Sequence, residues 1–205
     1  MNRLGFYLAR TLRQEAPLAA LSVPQADLLA DLAGKRVALV GNARALADTM
    51  HGAEIDAHDL VVRINRAPMP SPESHGLRTD WLALAVRLDA AERARLHPAR
   101  ILWMSHKRKR LDWATATSPG FYLHPLADYR ALEARIGAQP TTGAMLIDLF
   151  FRSDMAGLTL FGFDFFASLS LSGHRTAEQV PHDFSAEARF VFDLMGRDSR
   201  IMRVN

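Results

Sequence analysis

Four short segments of this chain carry side chains that could grip a phosphorylated ligand or move a proton. The first, Val37-Ala38-Leu39-Val40-Gly41-Asn42-Ala43-Arg44, reads as a strand, a small-residue turn and a helix start. A glycine lets backbone approach a ligand closely, and a helix N-terminus offers N–H groups to an anion. The second, Asp59-Leu60-Val61-Val62-Arg63-Ile64-Asn65-Arg66-Ala67-Pro68, presents Asn65 at a strand end, where its amide either bonds a sugar, base or phosphate or closes an Asx turn. The third, Gln139-Pro140-Thr141-Thr142-Gly143, precedes a helix whose apolar residues include Met145, Leu146, Leu149 and Phe150. Its threonines serve either as the N-cap or as donors to a phosphate. The fourth, Pro181-His182-Asp183-Phe184-Ser185-Ala186-Glu187, places His182 at the edge of a helix. There the helix dipole disfavours imidazolium and keeps the ring a proton acceptor; the alternative is an ordinary surface histidine.

What is missing narrows the chemistry. The turn after Gly41 lacks the Gly-x-Gly-x-x-Gly fingerprint, which argues against a nicotinamide or flavin cofactor. There is no Asp-x-Asp triplet and no His/Asp/Glu cluster with metal-ligand spacing, so no metal is expected. Cysteine is absent, which excludes disulfides, zinc–thiolate sites and a thiol nucleophile and fits a reducing cytoplasm.

The elements that must position these groups follow from periodicity. Apolar runs at 36–41, 60–64, 81–86, 101–104 and 158–163 predict buried strands, with a last strand at 200–204. Residues 43–50, 88–97, 126–135 and 142–153 carry helical periodicity, and residues 1–33 read as an N-terminal helical segment. Alternation of this kind predicts a Rossmann-like three-layer α/β/α sandwich on a mostly parallel sheet. The 205 residues suit one domain.

The net charge is +3, with a local run at His106-Lys107-Arg108-Lys109-Arg110 that is either a solvated face or an attractor of anions. Nucleic acid is disfavoured as a partner because no aromatic residues interleave the run. Leu4, Leu8 and Leu12 recur at helical spacing among Arg3, Arg10 and Arg13. Such a segment either packs on the domain or lies on a membrane surface. No apolar run approaches bilayer-spanning length and the start lacks a signal-peptide pattern, so the expectation is a cytoplasmic protein, peripheral to the inner membrane if the basic segment touches lipid.

Read together, the segments resemble the animal-type sialyltransferases and their bacterial relatives, glycosyltransferase family 29. Gly41-Asn42 through His58-Asp59 to Arg63-Ile64-Asn65-Arg66-Ala67-Pro68 looks like that family's long motif, with its asparagines 23 positions apart. Pro140-Thr141-Thr142-Gly143 followed by Leu160-Phe161-Gly162-Phe163 looks like the short motif, and His182 with Glu187 like the His-x-x-x-x-Glu motif. The resemblance implies a GT-A-like variant without Asp-x-Asp, acting as a metal-independent transferase. It would move sialic acid or a related 2-keto sugar acid from a CMP-sugar to a glycan or glycolipid hydroxyl. By the same resemblance His182 is the catalytic base, supported by Glu187. Gly41, Asn42, Asn65, Thr141, Thr142, Gly143, Gly162 and Phe163 hold the donor. The family's third motif, a histidine followed by aromatics and an acid, has no full counterpart. Gly173-His174-Arg175 stands in its place, and His174 is assigned to the phosphate. A CMP-Kdo-type transferase and an inactive nucleotide-binding module are the alternatives.

Overall fold

Leucine- and valine-rich runs become the strands of one sheet in the computed structural model, which describes residues 1–164 and 182–204. Seven strands form among the described residues: β1 (Arg36–Val40), β2 (Leu60–Ile64), β3 (Trp81–Leu84), β4 (Arg100–Trp103), β5 (Tyr122–Leu123), β6 (Gly157–Phe161) and β7 (Ile201–Val204). Their order is β5-β4-β3-β2-β1-β6-β7, and every pairing is parallel. The chain steps outward from β1 through β2 to β5, then returns to the other side of β1 for β6 and β7. The strand order therefore reverses between β1 and β6, and in open parallel sheets a crevice opens beyond the strand ends at such a point.

Side-chain alternation sorts the core into layers, because successive strand residues face opposite ways. Val37 and Leu39 of β1 and Trp81 and Ala83 of β3 join one cluster with Leu28, Leu132, Leu146, Phe150, Val191 and Leu194. Those partners lie on or beside α3 (Gln25–Ala30), α8 (Leu126–Ile136), α9 (Thr142–Phe151) and α10 (Phe184–Arg197). On the opposite face Leu82 and Leu84 of β3 pack with Phe6, Ala9, Leu18 and Leu96. These come from α1 (Arg3–Thr11), α2 (Glu15–Ala19) and α6 (Ala90–Leu96). Ala38, Val40 and Val61 pack with Ile55 of α4 (Gly52–Asp56). Two short helices, α5 (Pro72–His75) and α7 (Trp113–Ala116), complete the set of ten among the described residues. The expected three-layer sandwich is present, with a sheet that is wholly parallel among the described strands.

Several boundaries differ from expectation for physical reasons. The helical stretch expected at 43–50 is a 3₁₀ helix, Arg44–Asp48, so no α-helix N-terminus follows Gly41 and Asn42. Residues 1–33 form three short helices rather than one segment, broken where Arg13 turns left-handed (φ 56°) and where Pro24 caps α3. The helix starting at Ala90 agrees with expectation and is fixed by a reciprocal capping box between Asp89 and Glu92. The two-residue β5, α4, α5 and α7 are too short for periodicity to register.

Candidate active site

The carboxyl ends of β1, β2, β3 and β6 meet at one edge of the sheet, and contacts link the sequence motifs across it. Asn42, just beyond β1, donates from Nδ2 to the carbonyl of Ile64 at the end of β2 (3.2 Å). Asn65, one residue further along that chain, accepts from the Ala85 N–H on its Oδ1 (2.8 Å) and so bridges to the end of β3. Its backbone is left-handed (φ 55°), a conformation that asparagine tolerates better than most residues. This long-range bond is not the local Asx turn considered as the alternative: Oδ1 is committed to Ala85, and the Nδ2 hydrogens are the donors it can offer a ligand.

On the other side of β1 the reversal point is closed by glycines. A Cβ added to Gly41 would collide with the Gly162 carbonyl oxygen and crowd the Phe163 ring, so only glycine lets the ends of β1 and β6 sit this close. The Phe163 ring also covers Gly143, where a Cβ would stand 2.6 Å from Cε1. Phe163 therefore seats the first turn of α9 against the β1–β6 reversal. α9 is buried from Thr142 to Phe150 and cannot shift without disturbing the core.

Thr141 caps α9 through its hydroxyl, which accepts from the Ala144 N–H (3.2 Å) and donates to Glu187 Oε2 (2.8 Å). The Thr141 N–H donates to Glu187 Oε1 (2.5 Å). Its hydroxyl is thus engaged within the protein and positions the starts of α9 and α10 relative to each other. The first intrahelical bond runs from Met145 N–H to Thr141, which leaves the N–H groups of Thr142 and Gly143 as those an anion can meet. Burial pushes the Glu187 carboxyl up to about 7, against the opposing pull of the two Thr141 donors.

His182 precedes Asp183, whose side chain caps α10 by accepting from the Ala186 N–H (2.8 Å). Its Nδ1 lies 2.8 Å from the Gln139 carbonyl. A carbonyl only accepts, so Nδ1 carries the hydrogen, and the neutral ring keeps its lone pair on Nε2. Burial lowers the His182 pKa, the Gln139 bond opposes this and the Lys107 charge lowers it further. The neutral form expected from a helix dipole is therefore favoured chiefly by desolvation. Gln139, two residues before Thr141, and Glu187 tie the starts of α9 and α10 together at both ends of one short interface.

Sequence reasoning assigned nothing specific to Lys107, which the fold brings within electrostatic reach of His182. It also missed Arg63, fully buried on β2, whose guanidinium donates to the carbonyls of Arg78 (2.8 Å) and His75 (2.6 Å) and holds the loop beside β2 and β3. A buried arginine inside an otherwise apolar strand run was the available signal. His174 lies outside the described residues. Among the described residues no three His, Cys, Asp or Glu side chains converge as metal ligands, and no helix is long and apolar enough to cross a membrane.

The family model for glycosyltransferase family 29 (sialyltransferase) matches residues 11–86. A stretch of 34 residues is 53% identical to the mouse (Mus musculus) protein CMP-N-acetylneuraminate-beta-galactosamide-alpha-2,3-sialyltransferase 1, covering 17% of this chain and 10% of that protein. The fold is similar to the crystal structure of a mammalian sialyltransferase, with a TM-score of 0.60, 22% identity and coverage of 83% of this chain and 69% of that one. The structure of a mammalian sialyltransferase in complex with Gal-beta-1-3GalNAc-ortho-nitrophenol matches with the same TM-score, 0.60, at 20% identity.

Proposed function

We propose that this chain is a member of glycosyltransferase family 29 (sialyltransferase) and transfers sialic acid or a related 2-keto sugar acid from a CMP-sugar to a glycan hydroxyl, a reading supported by the match of residues 11–86 to that family's model. The observation that carries the reading is the convergence of distant motifs on the β1–β6 reversal, with a half-buried histidine beside them whose Nδ1 is held by the Gln139 carbonyl. His182 Nε2 takes the acceptor hydroxyl's proton as that oxygen attacks the anomeric carbon. The bond from the anomeric carbon to the phosphate oxygen breaks, and its electron pair leaves with CMP. Attack and departure on opposite faces invert the anomeric centre.

The Asn42 and Asn65 amides and the N–H groups of Thr142 and Gly143 supply the donors for the nucleotide monophosphate, with Gly41, Gly162 and Phe163 shaping the floor. Lys107 adds positive charge on the His182 side, where both the phosphate and the sugar carboxylate are anionic. One phosphate on the donor makes a divalent cation unnecessary for charge neutralisation, in keeping with transfer that needs no metal. The deciding experiment presents the protein with a panel of CMP-activated sugar acids and glycan acceptors and follows CMP release and product mass. Transfer from a sialic acid donor supports the reading, and transfer from CMP-Kdo alone replaces it. CMP binding with no turnover on any acceptor identifies an inactive module.

A further inference from the structure

The first helix has two apolar sides, and the protein covers only one. Phe6 and Ala9 of α1 are buried in the cluster beneath β3 and β4. Leu4, Leu8 and the C-cap Leu12 turn away from that cluster, with 79%, 57% and 58% of their surfaces exposed, and Met1 is 50% exposed beside them. At the helical pitch these leucines fall within an arc of about 80° and so form one ridge. Single exposed leucines are ordinary, but a continuous ridge on one helix marks a contact surface.

The flank of that ridge is basic, and the fold makes it more so than the helix alone. Arg3 and Arg10 sit over the Tyr7 ring at 5.9 and 4.8 Å. Arg10 Nη1 donates to the Leu111 carbonyl at 2.8 Å, a contact across 101 positions of sequence. That bond draws the 3₁₀ turn Arg108–Arg110 against the arginine side of α1. Arg108 is buried and spent on Glu15, whereas Lys109 and Arg110 are exposed. No aspartate or glutamate occurs in residues 1–14, and Glu15 is the acid already paired with Arg108.

We propose that α1 and the Arg108–Arg110 turn together form a docking face for the surface of an anionic phospholipid membrane. The leucine ridge enters the boundary between headgroups and acyl chains, while Arg3, Lys109 and Arg110 meet lipid phosphates. Arginine and lysine stems can lie along the apolar surface while their heads stay in the headgroup layer. Charge complementarity selects this occupant: a neutral apolar partner would leave the flanking cations without counter-charge. The inference does not depend on the transfer chemistry.

Cosedimentation with vesicles tests it, using phosphatidylcholine alone and phosphatidylcholine mixed with phosphatidylglycerol in equal parts. The protein should pellet with the mixed vesicles and stay in solution with the neutral ones. Leu4→Ser with Leu8→Ser should weaken binding by about tenfold per leucine. Lys109→Ala with Arg110→Ala should weaken it by about fivefold per residue and flatten its salt dependence. Circular dichroism establishes that each variant keeps its fold. Absence of binding to the mixed vesicles overturns the proposal, as does undiminished binding of the leucine variant. Self-association in solution that the leucine variant abolishes, with no vesicle binding by the parent protein, assigns the face to a second copy instead.

Discussion

His182 and Asn65 are each held by one hydrogen bond that defines what the rest of the side chain can do. With Nδ1 tied to Gln139, His182 offers Nε2 as the base, and its pKa is depressed by burial. His182→Ala should lower transfer by about 100- to 10,000-fold while leaving CMP affinity nearly unchanged, as steady-state rates and calorimetry would report. A depressed pKa keeps the ring neutral to lower pH, so activity in the parent protein should fall only below a midpoint under the ordinary histidine value of about 6.5. If that acid limb persists in the alanine variant, another group owns it. Asn65 requires a finer substitution, because it holds Ala85 and a left-handed backbone as well as facing the site. Asn65→Ala should lose stability by about 1–3 kcal/mol along with donor binding. Asn65→Asp retains an acceptor for the Ala85 N–H but removes the amide donors and adds a negative charge. It should therefore weaken CMP binding while a thermal melt stays close to that of the parent. An unchanged affinity for CMP in Asn65→Asp would leave the residue with its structural bond to Ala85 alone.

At the scale of elements, Glu187 joins the starts of α9 and α10 by taking both donors of Thr141. Glu187→Ala should cost about 1–3 kcal/mol in chemical denaturation, because two donors at a buried helix start lose their partner. Glu187→Gln, which keeps one acceptor, should cost less. The carboxyl also makes stability depend on pH. Its folded pKa of about 7 lies above the ordinary glutamate value near 4.5, so the folded state binds the proton more tightly than the unfolded chain. Stability from this group is fully present below about 4.5 and is lost as pH rises through about 7. Unfolding free energies measured across that window should slope downward in the parent protein, and the slope should flatten in Glu187→Gln. Because Thr141 also seats Gly143 under Phe163, the two α9 anchors should be coupled, and transfer should suffer in Glu187→Ala even though the carboxylate is not proposed to touch the substrate.

At the scale of the whole molecule, the proposed site lies where the parallel sheet reverses, between β1 and β6, with Gly41 allowing the strand ends to close on each other. Ligand binding at such a seam should stabilise the entire sheet, since β1 is central and both halves pack against it. CMP at a hundredfold excess over Kd should stabilise the fold by about 2.7 kcal/mol. If transfer proceeds without a metal, as proposed, that gain should be the same with a chelator present. A CMP-induced rise in melting temperature that vanishes in chelator would require a metal in the donor site.

Local chemistry made much of this protein legible from its sequence. Apolar runs of strand length announced β1, β2, β3, β4 and β6, since a strand buried on both faces must be apolar throughout. Gly41, Asn42, Asn65, Thr141 and His182 were recognisable because strand ends and helix starts need particular residue types. The sequence could not reveal which polar atoms the protein would use internally. Thr141 spends its hydroxyl on Glu187, Asn65 spends Oδ1 on Ala85, and His182 owes its neutral ring chiefly to burial rather than to a helix dipole. Each is a contact between residues 20 to 46 positions apart or a matter of solvent exclusion, and neither is encoded in local spacing. The 3₁₀ helix after Asn42 and the two-residue β5 were likewise decided by packing, because segments that short have too little intrinsic preference to choose their own form. Only the tertiary fold brought Lys107 toward His182 and Lys109 and Arg110 beside α1, so that one basic run serves two places at once.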